Sequence, residues 1–278
     1  MKKLERGVFT GERALFASKE LQIYDSVFED GESPLKESSD IELYGCTFRW
    51  KYPLWYCENI KVKSATLTET ARSGIWYTKN IEMRNCQIEA PKTFRRAEKI
   101  SLYNSNMPNA LETLWYCKDV DIHHVSVAGD YFGLSAENVY AEFFNVDGNY
   151  VFDGGKNIEI RHARLISKDA FWNAENVTVY DSLIVGEYLG WNSKNVRFVN
   201  CTIESNQGMC YMDNLILENC TLVNTDLAFE YSSVDAEIVS KVDSVKNPIS
   251  GKITAPAIGE LIMEEEFIDP AKTEIIIG

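Results

Sequence analysis

The sequence predicts an all-β protein, a parallel β-helix of eleven to twelve short coils with three strands in each. Three observations carry this expectation. An apolar-x-apolar pair recurs at Leu21, Ile41, Ile60, Ile81, Ile100, Val120, Val139, Ile158, Val177, Val196 and Leu215, at spacings of 20, 19, 21, 19, 20 and then five times 19. Within each unit the apolar period is two, as in Ile23, Leu43, Val62, Met83, Leu102 and Ile160, which is strand spacing and not the 3.6 of a helix. The stretches between apolar groups are too short to hold a helix and carry turn residues instead.

Residues 1–12 are expected to cap the first coil, because the open end of a stack is an edge that has to be blunted. Coils follow over residues 13–238. After the anchoring pair comes a row of small residues at Ser26, Cys46, Ala65, Cys86, Ser105, Cys201 and Cys220, then an apolar row at Phe28, Phe48, Leu67, Ile88, Ile184, Ile203 and Leu222. A third apolar row precedes the anchor by six, at Leu15, Leu35, Leu54, Ile75, Phe94, Leu114 and Phe171. Corners are marked twice. Asp25, Asn85, Asn104, Asp181, Asn200 and Asn219 follow the anchor by four, and Asn59, Asn80, Asn138, Asn157, Asn176, Asn195 and Asn214 precede it by one. Asn and Asp tolerate the left-handed turn conformation, and stacked amides hydrogen-bond from coil to coil. The cysteines read as small core residues, with Cys57 and Cys117 in a second small row. Residues 239–278 lose the pattern and are expected to form an irregular C-terminal cap, so that residues 1–278 make one domain.

The totals exclude several functions. With 28 basic and 42 acidic residues the formal charge is −14 and the pI about 4.8, which argues against nucleic acid and anionic membrane as partners. No apolar run is long enough for a membrane span, and the first residues lack the pattern of a secretory signal. Seven cysteines without a CxxC pair or zinc-type His spacing fit free thiols, so cytoplasmic residence is expected. No motif calls for a cofactor.

The run of turn asparagines, apolar pairs and stacked small residues resembles the pectate-lyase-like superfamily of single-stranded right-handed β-helices over residues 11–238. The short coil with "NI/V-x-V-x-N-C-x-I" and "LWYC" (residues 54–57 and 114–117) is similar to a bacterial β-helix family classed as a domain of unknown function. The first resemblance implies right-handedness and a substrate-facing third row. The second implies a fold and no chemistry. Catalytic motifs of pectate lyases and polygalacturonases are not matched.

One step along the third row, five before the anchor, stand Phe16, Lys36, Trp55, Trp76, Arg95, Trp115, Leu134, Asp153, Trp172, Trp191 and Cys210, so that five of the six tryptophans share one row. Its charged members point it outward. An exposed ladder of Trp55, Trp76, Trp115, Trp172 and Trp191 suits the flat faces of an oligosaccharide, with Arg95 able to hold a substrate carboxylate. Asp130, Asp153, Asp169 and Glu187 lie near it as candidate catalytic carboxyls for glycoside cleavage, which needs two of them. The same oxygens suit Ca²⁺, as a lyase would require. A second constellation, Asp121, His123, Glu142, Glu159 and Arg161 with Tyr103, Tyr140 and Tyr180, could serve acid–base chemistry or simple cross-strand pairing. The first functional expectation is therefore a carbohydrate-active protein that binds or cleaves an oligosaccharide along the tryptophan row. The alternative is a non-enzymatic β-helix that serves as a scaffold or interaction module, with homo-oligomer contacts through the C-terminal segment or the tryptophan face.

Overall fold

The computed structural model describes residues 1–278 and bears out the fold class: an all-β, right-handed parallel β-solenoid with almost no helix. It has about fifteen turns, more than the eleven to twelve expected. The chain forms two compact units, Met1–Tyr140 and Ala141–Gly278.

In the first unit the longer strands stack as Lys2–Glu5, Lys19–Tyr24, Ser39–Tyr44, Glu58–Lys63, Lys79–Arg84, Glu98–Tyr103 and Lys118–Ala128, all parallel. Anchor pairs with anchor throughout: Leu21 with Ile41, Ile41 with Ile60, Ile60 with Ile81, Ile81 with Ile100 and Ile100 with Val120. A second row of two-residue strands runs from Val8–Phe9 to Asn106–Met107. Its inward side stacks Phe9 on Phe28 at 4.9 Å and Phe28 on Phe48 at 4.5 Å. The one coil of 21 residues spends its extra length on a single 3-10 turn, Glu69–Ala71, tied down by the Thr70 hydroxyl donating to the Arg49 carbonyl at 2.6 Å.

The second unit repeats this plan in Lys156–Arg161, Glu175–Tyr180, Lys194–Val199, Asp213–Val223 and Ser233–Ile238, with Val177 paired to Val196 and Val196 to Leu215. Phe152, Phe171, Phe198 and Phe229 are fully buried in it.

Three expectations need correction. Residues 1–12 are not a separate cover, because Lys2–Glu5 and Val8–Phe9 are themselves a coil, hydrogen-bonded in parallel to the next. Residues 239–278 are not irregular: Lys241–Lys246 pairs with Ala257–Ile262, and Ser250–Ala255 with Thr273–Ile277. The third side of most coils is a run of turns instead of a strand, the exceptions being Ile75–Trp76 paired with Phe94–Arg95 and, toward the C-terminus, Lys241–Lys246 paired with Ala257–Ile262.

The reason lies in the backbone. Each regular coil has four left-handed corners. Two are the expected rows, for example Asn59 (φ 56°) and Ser64 (φ 55°). The other two fall eight and four before the anchor, at Tyr52 and Tyr56, Ser73 and Tyr77, Lys92 and Arg96, Asp169 and Asn173, and Tyr188 and Asn192, all with φ between 53° and 63° or nearly so at 49° for Arg96. Two left-handed residues four apart leave no room for an extended ladder. Coil-to-coil backbone bonds survive nonetheless, as from Tyr56 N to Trp76 O at 2.9 Å.

Candidate functional site

The turn-built third side carries the tryptophans, all half-buried. In the first unit they are used up on one another. Trp55 stacks on Trp76 with ring centroids 5.1 Å apart and an interplanar angle of 8°. The Arg95 guanidinium lies 4.6 Å from the Trp76 ring and 4.6 Å from the Trp115 ring, filling the space between them. Its charge is met by Glu112, 3.5 Å away, which also pairs with Lys92 at 2.9 Å. Each indole N–H donates to a backbone carbonyl of the following coil: Trp55 to Ser73 at 2.6 Å, Trp76 to Lys92 at 2.9 Å and Trp115 to Tyr131 at 2.8 Å. Ring faces and polar edges are both spent. Trp55, Trp76, Arg95 and Trp115 thus form a continuous stack, worth about 0.5–1.5 kcal/mol per contact beyond area burial.

The second unit differs. Trp172 and Trp191 are 6.1 Å apart and inclined at 27°, and neither indole N–H makes a hydrogen bond within the chain. They line a groove of about 420 Å³ together with Tyr150, Lys168, Asp169, Tyr188 and Gln207. Tyr188 meets Trp191 edge to face, at 5.7 Å and 87°, so two walls stand almost at right angles. Tyr211 backs Trp191 at 4.8 Å.

Asp169 is the unusual member. It is 2% exposed, and one carboxyl oxygen, Oδ1, has no hydrogen-bond partner. Burial pushes its pKa up; the Lys168 charge and a hydrogen bond from Tyr150 oppose this, while Glu187 and Asp153 raise it further. Lys168 is engaged elsewhere, 3.4 Å from Glu187 and 5.1 Å above the Tyr188 ring.

Of the candidate carboxyls, then, Asp169 lines the groove, Glu187 borders it in an ion pair, and Asp153 stands near enough to act on Asp169 electrostatically. Burial raises the pKa of Asp153 too, against a hydrogen bond from Asn173. Asp130 belongs to the first unit and lines no part of this groove. Tyr150, Lys168, Tyr188 and Gln207 had no sequence signal as site residues. The column eight before the anchor, which brings Tyr150, Asp169, Tyr188 and Gln207 together, could have shown them.

The second constellation resolves into local pairs. Asp121 takes hydrogen bonds from Tyr103 at 2.9 Å and His123 at 2.8 Å, and Arg161 pairs with Glu159 at 2.7 Å beneath Tyr180. No group of three or more His, Cys, Asp or Glu side chains is arranged to hold a metal ion. No helix is long and apolar enough to cross a membrane.

Among solved structures the chain is similar to PfbA, a surface adhesin of Streptococcus pneumoniae, with 10% identity over 83% of this chain and 72% of that one and a TM-score of 0.40. It is also similar to the A-module of the mannuronan C-5 epimerase AlgE4 of Azotobacter vinelandii (10% identity, 99% and 88%, TM-score 0.34). A third is the tailspike protein of E. coli bacteriophage HK620 (12% identity, 92% and 62%, TM-score 0.36). At that level of identity none of their chemistry passes to this chain. No curated protein matches it. Residues 2–276, nearly the whole chain, match one family model, and the chain belongs to that family, described as protein of unknown function (DUF3737).

Proposed function

We propose that the chain is a carbohydrate-binding β-helix protein whose ligand, an oligosaccharide, lies in the groove of the second unit. One observation carries this reading. Aromatic walls and unspent polar groups meet in one place: the indole N–H groups of Trp172 and Trp191, the Tyr188 hydroxyl, the Gln207 amide and Asp169 Oδ1 all lack partners within the chain. A sugar ring has an apolar face for the first and hydroxyls for the second. The unpaired groups are what a hydroxyl-rich ligand satisfies, and the one among them that is buried, Asp169 Oδ1, is costly to leave without a partner.

The lining favours binding over cleavage. Hydrolysis by two carboxyls needs a second free carboxyl across the scissile bond, and Glu187, which borders the groove, is tied to Lys168. In the first unit the locked tryptophan stack supports the alternative, a purely structural role, for that part of the chain.

The test is titration of the whole chain with oligosaccharides, followed by tryptophan fluorescence and calorimetry. Trp191→Ala should weaken binding by about 1–3 kcal/mol, the scale of a ring stacked on an aromatic side chain, while Trp76→Ala leaves affinity unchanged. Equal losses from both variants, or no binding by any saccharide, would reject the groove as the site.

A further inference from the structure

Resting on the carbohydrate reading, we infer that the groove selects a saccharide bearing a free amine, an amino-sugar oligomer whose ammonium group is held by Asp169 among Tyr150, Trp172, Tyr188 and Trp191. The charge balance comes first. Lys168 is the one cation in the lining, and it is already committed to Glu187 and to the face of Tyr188. Against it stand Asp169 in the lining and Glu187 and Asp153 beside it. An acidic sugar therefore meets no uncommitted cation. A neutral sugar can donate a hydroxyl to Asp169 Oδ1, but it brings no charge to a buried carboxyl whose nearby cation, Lys168, is already paired with Glu187. An ammonium satisfies the oxygen and the charge together.

The walls point the same way. Aromatic faces carry negative potential and attract cations, most strongly where several rings meet and water is excluded. Here four rings line one groove, with Tyr188 and Trp191 set at 87° as a corner. The chain's own Lys168 ammonium, 5.1 Å over Tyr188, already occupies one such position. A cationic ligand is attracted by the same ring electrons, and the negative formal charge of the protein draws it in.

The groups facing Asp169 fix the pH behaviour. Burial, Glu187 and Asp153 keep it protonated to a higher pH than an ordinary aspartate, against Lys168 and Tyr150. An ammonium ligand favours the ionised form. Affinity should thus fall in acid as Asp169 takes up its proton, and fall again in base when the ligand amine loses its own.

The experiment compares four probes on the full chain by calorimetry: a glucosamine tetramer, its N-acetylated counterpart, a neutral glucose tetramer and tetramethylammonium. The inference expects the free amine to bind at least about tenfold more tightly than the N-acetylated form, with that preference abolished in Asp169→Asn. Because the comparison of probes is made on the unaltered protein, it holds even if the variant folds poorly. If the N-acetylated or neutral oligomer binds as well as the amine, the amine inference is overturned and the carbohydrate reading stands. If tetramethylammonium binds but no oligosaccharide does, or nothing binds, the carbohydrate reading fails and the inference falls with it.

Discussion

Asp169 combines a left-handed backbone (φ 55°), near-complete burial and an unpartnered oxygen, three features that each cost stability. The sign of the pH effect follows from its raised pKa. A carboxyl whose folded pKa lies above its unfolded value favours the folded state in acid and opposes it once pH rises through the folded value. Asp169→Asn, which tolerates the same corner, should therefore melt at a higher temperature than the parent at neutral pH. The difference should vanish as acid protonates the parent carboxyl, and calorimetric scans at stepped pH read it directly. A residue whose removal stabilises the fold is held for another purpose, which is how binding residues behave. Its burial and its unpartnered oxygen were not visible in the sequence, where Asp169 stood with Asp130, Asp153 and Glu187 as one of four candidate carboxyls among 42 acidic residues. The tryptophans show the same limit. All five share one sequence position, and they differ in what each ring packs against and in whether an indole N–H reaches the next coil's carbonyl.

The corner asparagines form ladders with a direction. Asn219 donates its amide to Asn200 at 2.9 Å, and Asn200 donates to Asp181 at 3.0 Å; likewise Asn80 donates to Asn59 and Asn59 to Asp40. Every donation runs toward the earlier coil, so the residue that begins the ladder need only accept. That explains why aspartate stands there. An acid further along would lose its donor and face a second carboxylate. Asn200→Asp should cost about 1 kcal/mol, whereas Asp181→Asn should change stability by less than about 0.5 kcal/mol; urea midpoints separate the two. These rows were legible because Asn and Asp announce a left-handed corner. The other two corners of each coil were not, since Tyr52, Tyr56, Lys92 and Arg96 are types that seldom adopt it. Their strain is offset by stacking, as between Tyr56 and Tyr77 at 4.7 Å.

At the scale of the chain, the repeat was readable because a stack of coils places the same demand on the same position each time. Reading stopped at the ends. Lys2–Glu5 is exposed at three of its four positions and Ala257–Ile262 has no fully buried residue, so neither shows the inward alternation that marks a central coil. The cysteines follow the repeat: all seven are free and buried. Burial pushes Cys57, Cys117, Cys201 and Cys210 up to about 12 and raises Cys46, Cys86 and Cys220 as well. Without thiolate, native protein at pH 8 should react with a thiol reagent only as fast as it unfolds, and all seven should label at once in denaturant. Fast reaction of any one in the native state would contradict its place in the core.

The left-handed corners have a consequence for degradation. A protease reads its substrate as an accessible extended strand. In the inner coils the extended segments are paired on both edges, and the bends between them have a backbone that such a cleft cannot accept. Cutting then has to wait for a coil to peel away, so digestion should run from intact chain to small peptides without lasting fragments, at a rate set by opening of the stack instead of by the number of cleavable bonds.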